Sequence, residues 1–250
     1  MEGSVFVSAW SAWAPGIQSP DEWRAWAREG SALQAVSESP PLAHVDPLFK
    51  RRLSQLTRMA IQVGHEALAG QPPMKIAFAS TYGEIGQQLK ITDRLIAEGE
   101  VSPANFSLSV FNTPVAALSI AEKNTEGYVA VYPGKDAFRL GFIESASAIL
   151  SGAERFRLFI AADELLPEPY AALEGGSPPP YALALVLSAG PYGIEVPADP
   201  ARLSWWGETV SRKDGSGVSP IPAALRFLSR AILQSGVTPS AGEALSAGAV

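Results

Sequence analysis

The sequence predicts an α/β fold, a mostly parallel sheet covered by helices, and three observations lead there. Short apolar runs (KIAFAS at 75–80, FRLFIAA at 156–162, YALALVLS at 181–188) lack polar–apolar alternation and read as strands covered on both faces. Between them lie segments whose apolar residues recur at helical spacing. Hydrophobic residues make up 47% and charged residues 18% of 250, enough for a sizeable core and against global disorder.

The elements follow in order. Residues 4–13, rich in Val, Phe and Trp, alternate weakly and read as the first strand. Ser19-Pro20-Asp21-Glu22 starts a helix: an N-cap, a proline at the first helical position, then acids in the first turn; Gly30 ends it. Residues 31–47 are a Pro/Ser-rich loop. Leu53, Leu56, Ala60, Val63 and Ala67 predict one long helix over 47–69, stopped by Gly70. After the 75–80 strand, a helix over 84–98 stops at Gly99, and 102–110 is loop and extended chain. A short helix over 113–122 has Pro114 near its start. A strand over 128–132, a helix over 136–151 and the strands at 156–162 and 181–188 complete a β-α-α-β-α-α-β-α-β-β order.

Beyond Pro191 the signal weakens. Trp205-Trp206 suggest an edge strand, 222–235 an amphipathic helix with Leu225, Leu228 and Ile232 on one face, and 236–250 a disordered tail rich in Gly, Ala and Ser. The expected organisation is a domain over 1–190, an extension with one helix over 191–235, and the tail. No repeat of 20–50 residues occurs.

A net charge of −6 argues against nucleic-acid and anionic-membrane partners. Zero cysteines exclude disulfides, thiolate metal sites and thiol catalysis. The two histidines leave little for metal or triad chemistry, so neither metal nor cofactor is expected. With no signal-peptide pattern and no apolar run long enough to span a bilayer, the expectation is a cytoplasmic protein.

Candidate motifs are sparse. Gly83 and Gly86 open a helix after a strand, but match neither G-x-G-x-x-G nor the phosphate P-loop, and no G-x-S-x-G elbow exists. His65, beside Glu66 on a helix, reads as structural; His44 lies in a loop and carries no signal. Asp163 and Glu164 follow a buried strand, where sheet proteins place chemistry, but adjacent residues in extended chain point opposite ways. Lys50-Arg51-Arg52 is either a solvated face or a contact for an acidic carrier protein. Lys135 stands near a helix N-terminus, which favours anions. It is either a desolvated nucleophile or base, or a wet ammonium that pairs with Asp136 or a partner carboxylate.

Three stretches together resemble the N-terminal half of the β-ketoacyl synthases: RMAIQVGHEAL followed by KIAFASTYGEI, SPANFSLSVFNTPVAALSI, and YVAVYPGKDAFRLGFIESASAILSGAERFRLFIAADE. The likeness covers about residues 1–190 and implies a thiolase-like half, one condensing-enzyme repeat. W-A-P-G, K-R-R-L-S-x-L-x-R-M-A, F-S-L-S-V-x-N and D-E-x-L-P-E-P-Y are similar to short synthase-like chain-length factors of bacterial aryl-polyene and related lipid pathways.

The departures are as telling as the matches. The position matching the synthase cysteine is Lys135, and the roughly 60 residues after Ser188 hold no histidine. The resemblance thus implies an inactive subunit that pairs with a full-length ketosynthase and meets acyl carrier protein only indirectly. It implies that Tyr128, Val129, Ala130, Val131 and Tyr132 form the partner edge, and that Ile85, Leu89, Phe106, Leu108 and Phe111 line the acyl tunnel. Taken one at a time, these five read equally well as ordinary core residues. The alternatives are an enzyme using Lys135 or Asp163 in a remodelled thiolase-like pocket, and a homodimeric acyl-binding or scaffold protein.

Overall fold

The structure, a computed structural model, describes residues 3–132, 134–191, 193–198 and 221–235. Six strands form one sheet: β1 (Ser4–Trp13), β2 (Lys75–Ala79), β3 (Tyr128–Val131), β4 (Phe156–Asp163), β5 (Tyr181–Ser188) and β6 (Ile194–Pro197). Their spatial order is β3-β2-β4-β5-β1-β6. The helices are α1 (Pro20–Glu29), α2 (Pro47–Lys50), α3 (Gln55–Leu68), α4 (Ile85–Glu98), α5 (Pro103–Phe106), α6 (Thr113–Ala121), α7 (Ala137–Leu150), α8 (Glu168–Glu174) and α9 (Ala223–Ser235).

The sheet has helices on both faces. Leu158, Ile160 and Ala162 of β4 pack with Ala182, Ala184 and Val186 of β5 against α3 and α6. Phe159, Ala161, Leu183, Leu185 and Leu187 point the other way, into the core that α1, α7 and α9 close. Gly141 lets α7 lie close to the sheet: a Cβ there would stand 2.7 Å from the Phe159 ring and 2.8 Å from the Ala79 methyl. Phe227 of α9 meets Phe138 and Phe142 of α7 at 5.7 and 5.8 Å, and Val196 of β6 enters the same core. The segments beyond residue 190 that the structure describes therefore pack on the same sheet as β1.

Local chemistry explains several boundaries. Ser19 caps α1 in a capping box with Glu22, and the Trp23 indole N–H donates to the Ala12 carbonyl at 2.8 Å. β1 alternates weakly because a bulge at Ser8 shifts its register against β5: Val7 faces Leu187, but Ala9 already faces Val186. Val7 and Trp10 consequently share one core while Ala9 and Trp13 enter the other.

Three expectations are corrected. The sheet is mixed: β2 pairs in parallel with β3 and β4, whereas β4–β5, β5–β1 and β1–β6 are antiparallel, so the mostly parallel reading holds only for the β3-β2-β4 half. β5 is buried along its whole length, so its lack of alternation reports two-sided burial and not strand direction. The helix expected over 47–69 is broken into α2 and α3. Ser54 turns extended, accepts the Thr57 N–H at 2.9 Å and donates to Glu84 at 2.8 Å, a cap plus a tertiary bond that outweigh helix continuity. α5 forms where extended chain was expected; α8 and β6 lie in segments that gave no signal. Trp205, Trp206 and the tail lie outside the described residues.

Candidate functional site

The ends of the parallel strands meet in a network of carboxylates and phenols. Asp163, the last residue of β4, accepts from Ser80 Oγ (2.8 Å), Thr81 N (2.6 Å), Thr81 Oγ1 (2.9 Å), Tyr82 N (3.3 Å) and Tyr181 Oη (3.2 Å). Burial pushes its carboxyl up, against the bonds from Ser80 and Thr81. The same burial, reinforced by the Asp163 charge, pushes the Tyr181 phenol well up. Asp163 thus fixes the loop that leaves β2, and its oxygens are already taken up by five donors.

Glu164 turns to the opposite side and accepts the Gly86 N–H at 2.8 Å. A Cβ on Gly86 would stand 3.0 Å from that carboxylate oxygen, so the glycine serves a close approach rather than a phosphate loop. Glu84 is wholly buried between Ser54 and Thr57, whose hydroxyls donate to Oε1 at 2.8 and 2.5 Å, while Oε2 has no hydrogen-bond partner among the described residues. Burial first, then the Glu164 charge, pushes Glu84 up to about 7. Glu84 and Glu164 together hold the start of α4 against α3 and the end of β4, while Asp163 holds the loop that leads into it.

Lys135 occupies a 3₁₀ turn, Gly134–Asp136, ahead of α7. Its side chain is 79% exposed and pairs with Glu174 of α8 at 2.9 Å, while Asp136 takes Arg139. Of the two alternatives, this is the wet ammonium, paired with a carboxylate of α8 rather than with Asp136. The Tyr82 phenol, beside the same Glu174, is pushed up to about 12 by burial and then by the Glu174 and Asp163 charges. Lys135 and Asp163 are committed to different partners, so the structure does not assemble them into a nucleophile–base pair.

β3 is an edge strand of the sheet. Tyr128 and Tyr132 are 43% and 45% exposed, while Val129, Ala130 and Val131 are half-buried. Beside it, Phe111 stacks on Tyr132 at 5.4 Å, and the Asn112 amide donates to the Tyr128 hydroxyl. Ile85, Leu89, Leu108 and Phe111 are half-buried and Phe106 is 58% exposed, so none of these five is a core residue of the isolated chain. α4 has no fully buried residue, and Leu95, Ile96 and Ile120 add exposed apolar surface on α4 and α6.

Residues 23–230 match the family described as β-ketoacyl synthase, N-terminal domain, and the chain belongs to that family. Among solved structures it is similar to the ketosynthase (ApeO) in complex with its chain length factor (ApeC) from Xenorhabdus doucetiae, at 28% identity and a TM-score of 0.69, covering 76% of this chain and 80% of that one. The ishigamide ketosynthase/chain length factor matches at 16% identity and a TM-score of 0.61, covering 74% and 62%. A β-ketoacyl synthase from Burkholderia phymatum matches at 14% and 0.59, covering 76% and 60%. The last two show the fold alone. No curated protein matches the sequence. The fold is thus the thiolase-like half expected from the sequence, on a chain without cysteine. Among the described residues, no helix is long and apolar enough to cross a membrane.

The sequence reading missed Glu84, Tyr82 and Tyr181. Tyr82 and Glu84 lie within the KIAFASTYGEI stretch without being singled out, and each of the three acquires its environment through residues distant in the chain.

Proposed function

We propose that this chain is the non-catalytic, chain-length-factor-like partner of a cysteine-containing ketosynthase in fatty-acid or polyketide-type (aryl polyene) biosynthesis in the cytoplasm. The observation that carries the reading is Lys135: on a chain without cysteine, the turn where relatives hold their nucleophile presents an exposed, ion-paired ammonium. Thioester exchange needs a thiolate or an equivalent nucleophile together with oxyanion donors. The Xenorhabdus match, to a ketosynthase in complex with its chain length factor, supports the same reading.

In this reading β3 joins its counterpart in the ketosynthase. An edge strand with the sequence YVAVY and tyrosines at either end is an aggregation hazard unless paired. Ile85, Leu89, Phe106, Leu108 and Phe111 then close the far end of the partner's acyl tunnel, where bulky side chains stop a growing chain by overlap. Acyl carrier protein docks on the ketosynthase and meets this chain only indirectly.

The test is co-expression with a full-length, cysteine-containing ketosynthase from the same organism, followed by size exclusion with mass detection. A one-to-one heterodimer is expected. A chain that stays alone, or pairs only with itself, overturns the proposal.

A further inference from the structure

The only two histidines of the chain, 21 positions apart in sequence, stand face to face. The His44 and His65 rings stack with centroids 3.6 Å apart and planes 9° from parallel. Glu122 reaches both: its Oε1 lies 2.9 Å from His65 Nδ1 and 4.0 Å from His44 Nε2. One ligand atom from each of the three residues lies within 4.8 Å of the others. We infer that His44, His65 and Glu122 form a divalent transition-metal site of the zinc class, which clips the loop carrying His44 to the C-terminal ends of α3 and α6.

Each ligand is held by the fold. His65 belongs to the last turn of α3, and Glu122 is the C-cap residue of α6. His44 is flanked by two buried anchors, Leu42 and Val45, joined by a Val45 N–H to Leu42 carbonyl bond of 3.2 Å. Leu42 adopts φ of 48°, a left-handed conformation that a leucine keeps only when its surroundings over-determine it. The Lys50 ammonium ties the same loop down by donating to the Pro41 carbonyl at 2.8 Å.

Two imidazoles and a carboxylate match the donor preference of zinc, leaving one position for water. Bond lengths of about 2.0–2.2 Å draw tetrahedral ligand atoms to roughly 3.3–3.5 Å of one another. In the stack the two in-plane lone pairs run side by side, so one ring must turn to converge on a shared ion. Of the two, His65 carries the more exposed side chain, 41% against 23% for His44. The reading is independent of the ketosynthase assignment.

The test uses the full chain and zinc chloride, by isothermal titration and thermal unfolding. One zinc per chain, a rise in Tm, and slower proteolysis within the 31–46 loop are expected. His44→Gln, His65→Ala and Glu122→Gln should each weaken binding about tenfold or more. His44→Gln changes a loop residue and leaves both helices intact, so it decides the matter even if His65→Ala fails to fold. Absence of zinc heat and of a Tm rise at about a hundredfold zinc excess, or unchanged affinity in His44→Gln, overturns the site.

Discussion

The two ends of β4 and β3, neighbours of the same central strand β2, treat their surroundings in opposite ways. At the end of β4, the buried Asp163 takes five donors from within the chain. At β3, apolar side chains and one side of the strand face outward. A region that closes on itself serves the fold; an open apolar edge is the place the proposed partner would occupy.

The comparison breaks first if the Asp163 network is not structural. Asp163→Ala leaves the donors of Ser80, Thr81, Tyr82 and Tyr181 without an acceptor, and should cost about 3–5 kcal/mol in denaturant unfolding. A loss below about 1 kcal/mol would remove the hub from the account.

The second prediction concerns pH. Glu84 has an ordinary value of 4.5 and is raised to about 7 in the fold, chiefly by burial. The folded chain therefore holds a proton that the unfolded chain releases between those values, and stability falls as pH rises through that window. Glu84→Gln should add about 2–3 kcal/mol at pH 8 and almost nothing at pH 4. Unfolding at the two pH values checks the sign; equal effects at both would contradict the buried-carboxyl origin.

The third sharpens the open side. Val129→Asp should weaken association with the ketosynthase by about a hundredfold, ~3 kcal/mol. Val129 also packs on the core, so Tyr128→Asp, on the exposed end of the strand, is measured alongside with the Tm of the isolated chain. Undiminished co-purification of both variants would refute the β3 interface. Phe106→Ala should change the isolated chain's stability by less than about 0.5 kcal/mol yet lengthen the products of the complex. Unaltered product length would remove Phe106 from the tunnel wall. The smallest effect is expected at Lys135: its exposed pair with Glu174 contributes about 0–1 kcal/mol, and Lys135→Ala should leave product formation by the complex intact. Turnover by the isolated chain that disappears in Lys135→Ala would restore the enzyme reading.

Much of the fold was legible. The Ser19 capping box, the glycine stops at Gly30 and Gly99, and the two-sided strands β2, β4 and β5 follow from local chemistry and appear as expected. Strand direction at β5 was not legible, because burial on both faces erases the pattern that tells parallel from antiparallel. Nor was the break at 51–54, since Ser54 leaves the helix for a carboxylate 30 residues away. The site was harder still. Asp163-Glu164 stood out as a pair at a strand end, but their opposite commitments, one to the β2 loop and one to Gly86, depend on partners about 80 positions earlier.

By itself the sequence determined the α/β class, most element positions and the absence of any thiol, because periodicity, capping and composition are local properties of the chain. The tertiary structure alone decided that Lys135 stays wet while Glu84 is buried, that β3 ends the sheet, and that His44 and His65 meet over Glu122. Burial, charge coupling and ligand convergence depend on distances between residues remote in sequence, and those distances exist only once the sheet and its helices have packed.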